Sequence, residues 1–102
     1  MVYELTWKPE AEGESDRLDN AIKKQAFTQF KKLTKSPQLG KPLGKKAGLD
    51  LTGFKKLYFY QKKYRIIYEL DEPNQTVIIW SVGKREDIEV YVQVVKRLEN
   101  ES

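Results

Sequence analysis

The chain contains neither cysteine nor histidine among its 102 residues. Without cysteine it can form neither a disulfide nor a thiolate metal site. Without histidine it lacks the commonest metal ligand and the commonest general acid or base at neutral pH. We therefore expect no bound metal ion and no small-molecule cofactor, and any acid–base chemistry must use other side chains.

The sequence also lacks a long hydrophobic run. A membrane-spanning helix needs about 18 consecutive apolar residues, and no such stretch is present. The N-terminal sequence MVYELTWKPE does not have the cationic and then apolar segments of a secretory signal. The sequence therefore predicts a cytoplasmic protein without a membrane partner, and its length predicts a single domain over residues 1–102.

Acidic residues are scarce in the middle of the chain. Residues 31–65 hold eleven Lys and Arg and a single acid, Asp50, whereas both flanking segments are mildly acidic and the whole chain has a net charge of +4. A basic segment of this kind predicts a surface patch that binds a polyanion. A lysine-rich surface that is simply solvated accounts for the composition equally well.

Strand and helix patterns occupy the N-terminal half. Apolar and polar residues alternate over residues 2–7, which predicts a short strand. Apolar residues at helical spacing predict a helix over about 20–34, with Asp19 as its N-cap. The polar segment 9–18 predicts at most a weak helix, and the Gly- and Pro-rich segment 36–53 predicts a loop.

Three strand patterns follow, at residues 54–60, 64–70 and 76–82, and a helix pattern covers about 88–98. The short connections between these strands are typical of hairpins. The predicted fold class is α+β, in a small two-layer domain. Its sheet is expected to be four-stranded and mainly antiparallel, with N-terminal helices and a C-terminal helix.

A turn at Gln61 and Lys62 would pair Tyr58 with Arg65 and Lys56 with Ile67. One face of this hairpin would then carry Lys56, Tyr58, Tyr60, Lys63 and Arg65. The other would carry Leu57, Phe59, Tyr64, Ile66, Tyr68 and Leu70, a reasonable core. Tyrosines interleaved with cations suit single-stranded nucleic acid, and an ordinary solvent-facing surface is the alternative. A turn of three residues would break this arrangement.

Three stretches of the sequence, LGKPLGKK, YRIIYEL and SVGKREDIEVYVQVVKRL, together resemble the RelE-type toxins of bacterial toxin–antitoxin pairs, within the RelE/ParE superfamily. The third is the most specific, because it joins a strand, V-G-K-R and a short acidic step to a helix that begins with V-Y. The resemblance covers nearly the whole chain and implies a RelE/ParE-like fold. It also implies a type II toxin that binds the ribosome, cuts mRNA in the A site and is blocked by a cognate antitoxin.

The resemblance implies four catalytic residues, which are Lys56, Arg65, Arg85 and Tyr91. Members of the family often carry a second basic residue where this chain has Tyr58. The basic stretches supply the residues expected to contact RNA or the ribosome, namely Lys41, Lys45, Lys46, Lys55, Tyr58, Lys62, Lys63 and Lys84.

RNA cleavage without a metal ion uses the neighbouring 2′-hydroxyl as nucleophile and leaves a 2′,3′-cyclic phosphate and a 5′-hydroxyl. The step needs a base, an acid and stabilisation of charge at phosphorus. Arg65 and Arg85 suit the phosphate through their planar donors, and the resemblance implies that Arg85 is also the proton donor. Tyrosine has an ordinary pKa of about 10, so Tyr91 would need nearby cations to act as a base. Packing at the rim of the core is its alternative role.

Two valines of the predicted last helix, Val90 and Val94, lie off its core-facing stripe. We predict that they bind an antitoxin segment, with packing under the 40–53 loop as the alternative. Two other functions are compatible with the sequence. One is a ParE-like toxin that inhibits DNA gyrase, and the other is a non-catalytic RNA- or ribosome-binding module.

Salt should weaken the association with ribosomes, because contacts between lysines and phosphates release counterions. Reversing the charge of Lys45, Lys46 and Lys55 should also lower the affinity, as measured by co-sedimentation with ribosomes over a range of KCl concentrations. An affinity that is the same at low and at high salt would exclude the basic patch from binding.

Overall fold

A five-stranded sheet with two helices on one face makes up most of the part of the chain that the structure describes. The computed structural model describes residues 2–46, residues 49–84 and Lys96. In chain order its elements are β1 (Glu4–Trp7), α1 (Pro9–Asp16), α2 (Asn20–Lys35), β2 (Lys41–Lys46), β3 (Leu49–Phe59), β4 (Tyr64–Asp71) and β5 (Thr76–Lys84). The predicted helix over 88–98 lies outside the described residues, apart from Lys96, which is helical.

The strands are ordered β1-β5-β4-β3-β2 across the sheet. β1 runs parallel to β5, and the other neighbouring pairs are antiparallel. The prediction of a four-stranded, mainly antiparallel sheet is therefore corrected to a five-stranded sheet of mixed direction. The additional strand is β2, which pairs with the first part of β3.

β2 and the start of β3 lie in segment 36–53, which the sequence predicted to be a loop. Gly44 and Gly53 adopt left-handed φ angles of 58° and 94°, which glycine allows at little cost. The pairing of β2 with β3 shifts register between Pro42 and Gly44, as at a β-bulge. Pro42 is tolerated because β2 is at the edge of the described sheet. The loop prediction was wrong because glycine and proline shape an irregular strand pair here.

Helix α1 forms although its sequence is polar. Pro9 lies in its first turn, where Glu10 and Glu12 place negative charge at the positive end of the helix dipole. Ala11 and Ser15, one turn apart, are buried, and the helix packs on β5. Packing of this narrow stripe therefore stabilises a segment whose own helix propensity is weak.

Helix α2 confirms the predicted helix and its apolar stripe. Asp19 occupies the N-cap position, although its side chain makes no capping hydrogen bond. Ala26, Phe30 and Leu33 are buried, and Phe30 meets Trp7 edge to face with ring centroids 5.6 Å apart. Neither helix in the described ranges is long and apolar enough to cross a bilayer.

The β3–β4 hairpin has the register that the sequence predicted. Both expected cross-strand pairs, Tyr58 with Arg65 and Lys56 with Ile67, are present. The residues predicted on the core side all belong to the helix-side core or pack against it, and they are Leu57, Phe59, Tyr64, Ile66, Tyr68 and Leu70. The core-side face of the hairpin was predicted correctly because side chains alternate along paired strands.

A second apolar cluster lies on the opposite face of the sheet. It contains Leu43, Leu51, Phe54, Ile67 and Trp80, with Ile78 partly buried beside them. Trp80 is an extra residue of β5 at a register shift opposite Ile67 and Tyr68, as in a β-bulge. Its indole Nε1 donates to Oε1 of Glu69 at 3.2 Å, and Nζ of Lys8 lies 4.5 Å from its ring centroid. Much of β5 is thus apolar on both faces.

The turn of the β3–β4 hairpin is strained. Tyr60, Gln61 and Lys62 have φ angles of 52°, 57° and 64°, and the amide of Lys63 donates to the carbonyl of Tyr60 at 3.1 Å. The φ angles of Gln61 and Lys62 and this hydrogen bond match a type I′ turn with these two residues at its centre, where Asn and Gly are favoured. Each left-handed residue other than glycine costs roughly 1–2 kcal/mol.

Replacing Lys62 with glycine should stabilise the protein, because the relief of left-handed strain exceeds the greater entropy that glycine loses on folding. We expect the free energy of unfolding to rise by about 0.5–1 kcal/mol in urea denaturation. Lys63→Gly is the matched control, since Lys63 is also exposed but has no left-handed φ. Equal stabilisation by both changes would show that strain at Lys62 is not the cause.

Candidate functional site

Four of the predicted functional side chains lie together on the sheet face opposite the helices. Tyr58 and Arg65 are cross-strand partners, and Lys56 is on the same face two residues before Tyr58. Lys41 of β2 is paired with Lys56. The Nζ of Lys56 lies 5.0 Å from the ring centroid of Tyr58, a cation–π contact. The structure thus brings three cations and one tyrosine together across three strands.

Arg65 is deeply placed among these residues, with only 4% of its surface exposed. On its β5 side it is paired with Gly83, and the next pair along is Tyr64 with Lys84. A guanidinium stays charged at any physiological pH, and burial restricts its planar donors to few orientations. Arg65 therefore provides a fixed positive charge between β3 and the end of β5.

Several predicted residues lie outside the described part of the chain. These are Arg85 and Tyr91, predicted as catalytic, and Val90 and Val94, predicted to bind an antitoxin. Lys84, predicted to contact RNA, is the last described residue of β5 and is exposed.

An open groove of about 430 Å³ lies beside Lys56 and Tyr58. Its lining consists of Leu39, Lys41, Lys56, Leu57, Tyr58 and Lys62. Three ammonium groups on a partly apolar lining match a nucleotide, because the phosphate needs cations and the base needs a flat or apolar contact. Leu39, which the sequence did not single out, is 46% exposed and offers such a contact.

The groove lies where strand pairing at the edge of the sheet ends. β2 begins at Lys41, opposite Lys56, so the next residues of β3, Leu57 to Phe59, have no strand beside them on that side within the described residues. This step in the sheet edge creates the open space between Leu39 and the hairpin turn at Lys62.

Lys45 is in a different electrostatic environment. It is paired with Asp50 in the β2–β3 hairpin. The pKa of Asp50 is lowered chiefly by hydrogen bonds from the hydroxyl and amide of Thr52, and further by the charge of Lys45. The negative charge of Asp50 therefore offsets the positive charge of Lys45 at this edge of the sheet.

The remaining predicted RNA-contacting lysines are dispersed. Lys55 directly precedes Lys56, so its side chain points to the helix side of the sheet. Lys46 ends β2, and Lys62 and Lys63 are exposed in the hairpin turn. The basic segment is therefore spread over both faces and one end of the sheet.

The sequence predicted that Tyr60 lies on the same face as Tyr58, and this prediction was wrong. Its ring packs edge to face against Tyr64, with centroids 6.0 Å apart, and Tyr64 in turn lies 5.7 Å from Phe59. The left-handed φ of Tyr60 ends the strand alternation, which is why the extrapolated face was wrong at this residue.

Tyr68 makes a buried contact that sequence reasoning missed. Its hydroxyl donates to the carbonyl of Pro37 and accepts from the amide of Gly40, both at 2.8 Å. Burial raises the pKa of Tyr68, and the hydrogen bond from Gly40 opposes part of that effect. A tyrosine at a core position signals a need for hydrogen-bond partners, although the sequence does not say where they are.

Comparison with known proteins agrees with this architecture. The family model for the ParE toxin of the type II toxin–antitoxin system parDE matches residues 5–89. The chain is 29% identical over 98 residues to the mRNA interferase toxin RelE of Escherichia coli K12, and the match covers 96% of this chain and 99% of that protein. The mRNA interferase RelE of Shigella flexneri matches with the same identity and coverage.

Solved structures match as well. The E. coli toxin RelE in the free state, with two arginines changed to alanine, has a TM-score of 0.79 at 27% identity, covering 96% of this chain and 99% of that chain. A chain of a RelBE toxin–antitoxin complex from Mycobacterium tuberculosis has a TM-score of 0.66 at 26% identity, covering 83% of this chain and 100% of that chain.

The chain therefore belongs to the ParE toxin family of type II toxin–antitoxin systems. Within that family it is a RelE-type toxin, as the resemblance in its sequence implied. The α+β fold class is confirmed by the same structures.

Stability should fall at alkaline pH because of Tyr68. Its pKa is raised above the ordinary value of 10.0 in the folded state, so its contribution is complete below pH 10 and is lost as the pH rises through the folded pKa. Tyr68→Phe should lower the free energy of unfolding at neutral pH by about 1–3 kcal/mol, because two buried polar groups lose their partner. The loss of stability of Tyr68→Phe as the pH rises above about 10 should be smaller than that of the wild type.

The measurement is urea denaturation as a function of pH. Tyr60→Phe, at an exposed turn residue, is the matched control and should keep the wild-type slope. If Tyr68→Phe also keeps that slope, the alkaline loss of stability has another origin.

Proposed function

We propose that this toxin is an mRNA interferase, a ribosome-dependent and metal-independent endoribonuclease that cleaves mRNA in the ribosomal A site and so inhibits translation. The observation that carries the proposal is the position of Lys41, Lys56, Tyr58 and Arg65 on one sheet face beside an open groove. The similar RelE proteins of E. coli and S. flexneri are named mRNA interferases, which supports the same activity here.

Each described residue has its own task in the proposed reaction. The guanidinium of Arg65 would bind the non-bridging oxygens of the scissile phosphate through its planar donors. The ammonium of Lys56, on the neighbouring strand, would stabilise the extra negative charge of the phosphorane. The ring of Tyr58 would stack with a neighbouring base, at the position where the family resemblance implies a second basic residue.

The proton transfers are assigned to two residues outside the described part of the chain. As the 2′-hydroxyl attacks phosphorus it would give its proton to Tyr91, and the leaving 5′-oxygen would take a proton from Arg85. The products are a 2′,3′-cyclic phosphate and a 5′-hydroxyl. Nearby cations would favour the phenolate form of Tyr91. Both assignments rest on the resemblance of the C-terminal sequence.

The ribosome completes this set of residues. A chain without histidine has no side chain that ordinarily titrates near neutral pH. Holding the 2′-hydroxyl in line with the phosphorus can supply roughly 7–11 kcal/mol of the barrier reduction. We propose that the decoding site of the ribosome provides this orientation, and that free RNA is therefore cut poorly.

A cognate antitoxin is the second partner in the proposal. The similar M. tuberculosis structure is of a toxin–antitoxin complex, which supports such a partner here. Val90 and Val94 are the proposed contacts on this chain, and the antitoxin would shield or displace catalytic groups. Expression of the chain alone would then arrest growth.

Inhibition of DNA gyrase is the alternative function, because the family model that matches this chain is named after the ParE toxin. In that case the toxin would act by binding gyrase and would not cleave RNA. A non-catalytic ribosome-binding module is the third possibility. Translation of a defined message followed by mapping of cut positions distinguishes the three.

Loss of any proposed catalytic group should slow cleavage of ribosome-bound mRNA. We expect Lys56→Ala, Arg65→Ala, Arg85→Ala and Tyr91→Phe each to lower the rate at least about tenfold. Because Arg65 is buried, Arg65→Lys is measured as well. Arg65→Lys keeps the positive charge but loses the planar pair of donors of the guanidinium. It should therefore also cleave slowly, while its circular dichroism spectrum stays like that of the wild type.

Lys24→Ala is the control for the loss of a surface lysine, because Lys24 is exposed on α2, on the other side of the sheet. It should cleave at the wild-type rate. Wild-type protein that leaves ribosome-bound mRNA intact but traps gyrase on DNA would contradict the proposal and favour the ParE-like function. Ribosome binding without either activity would favour the non-catalytic module.

A further inference from the structure

We propose that Tyr68 is a positioning residue for the groove. Through its hydroxyl it holds the 37–40 segment, and with it Leu39 and Lys41, at a fixed distance from Lys56. The inference rests on the proposed function in that it takes the groove as an RNA site. It assigns a role to a buried residue that does not itself contact RNA.

The first observation is the connection that the hydroxyl makes. Tyr68 is fully buried in β4, and its hydroxyl joins the carbonyl of Pro37 to the amide of Gly40. The segment between them makes a turn, in which the amide of Leu39 donates to the carbonyl of Ser36 at 3.0 Å. The hydroxyl therefore closes both ends of the segment that presents Leu39 to the groove.

The second observation is the close fit of Gly40. A Cβ at this position would lie 2.6 Å from the Tyr68 hydroxyl and 2.7 Å from the backbone carbonyl of Lys56. Backbone atoms cannot move aside as the end of a flexible side chain can. The absence of a side chain at Gly40 therefore lets the start of β2 pack directly between Tyr68 and the backbone of Lys56.

The third observation explains why such an anchor is needed. Lys41 and Lys56 are directly paired across β2 and β3, and like charges in opposed positions destabilise a strand pair. Lys41 is also at the very start of β2, next to the groove. Without a hold on residues 37–40, repulsion would separate the two ammonium groups and widen the groove. An RNA phosphate placed between them would relieve that repulsion.

The test compares Tyr68→Phe with Gly44→Ala. Tyr68→Phe removes only the hydroxyl. Gly44→Ala is the matched control, because it strains the same strand at φ 58° but its added Cβ meets no atom within 4 Å. We expect the single-turnover rate of cleavage on preformed ribosome complexes to fall at least about tenfold in Tyr68→Phe, with ribosome affinity changed less than about threefold. Gly44→Ala should stay within about threefold of the wild type in both.

A double-mutant cycle separates positioning from simple loss of stability. If Tyr68 acts through Lys41, the slowing caused by Lys41→Ala should shrink by at least about threefold in the Tyr68→Phe background. Equal slowing by Lys41→Ala in both backgrounds would overturn the proposal. So would equal losses of rate in Tyr68→Phe and Gly44→Ala.

Amide hydrogen exchange decides the same point without activity. The amides of Gly40 and Lys41 should exchange at least about tenfold faster in Tyr68→Phe, whereas those of Val77 and Ile79 in β5 keep wild-type protection relative to global unfolding. Unchanged exchange at Gly40 would overturn the proposal even in an active protein. Wild-type protein that cuts no mRNA contradicts the proposed function alone, since the exchange result still decides whether Tyr68 holds the groove.

Discussion

The pairing of β4 with both β3 and β5 is the constraint on which the rest of this molecule depends. Residues 65–68 are four buried residues in succession, and alternate members face the helices and the open side. A slip of one residue would bring Arg65 into the helix-side core and turn Ile66 towards the open face. Since a charge surrounded only by apolar side chains costs several kcal/mol, the core excludes that register. Hydrophobic packing on one face therefore determines where a guanidinium lies on the other.

The open face combines an apolar cluster and a cationic groove, which usually lie on separate surfaces. Around Phe54 and Trp80 it is a small second core, whereas around Lys56 it is cationic and concave. The groove is bounded at one end by the segment that Tyr68 holds and at the other by a turn in which Lys62 is left-handed. The backbone is restricted at both ends of the groove. Side chains held in place in this way can stabilise a charge that develops during a reaction without first having to reorganise. A fold with few candidate catalytic groups gains most from this kind of rigidity.

Much of the fold could be predicted from the sequence, and the failures have specific causes. Helix α2 and the β3–β4 register follow from periodic patterns that depend only on neighbouring residues. β2 was missed because glycine and proline are frequent in loops, and only the pairing with β3 shows that they form a bulged edge. Tyr60 was placed on the wrong face because alternation was extended one residue beyond the last regular strand position. Of the candidate site, Lys56, Tyr58 and Arg65 were brought together as expected, and Leu39 was not foreseen.

The sequence by itself determined the chemistry that this protein can use. It excludes histidine and thiol catalysis, concentrates positive charge in residues 31–65, and through alternation assigns Tyr58 and Arg65 to one face. Only the tertiary structure decided where that chemistry can act. The contact of Tyr68 with Gly40 joins residues 28 positions apart. The parallel pairing of β1 with β5 joins the first and the last strand of the described sheet. Contacts of this kind leave no periodic trace along the chain, because they depend on how separate elements meet and not on the local pattern within any of them.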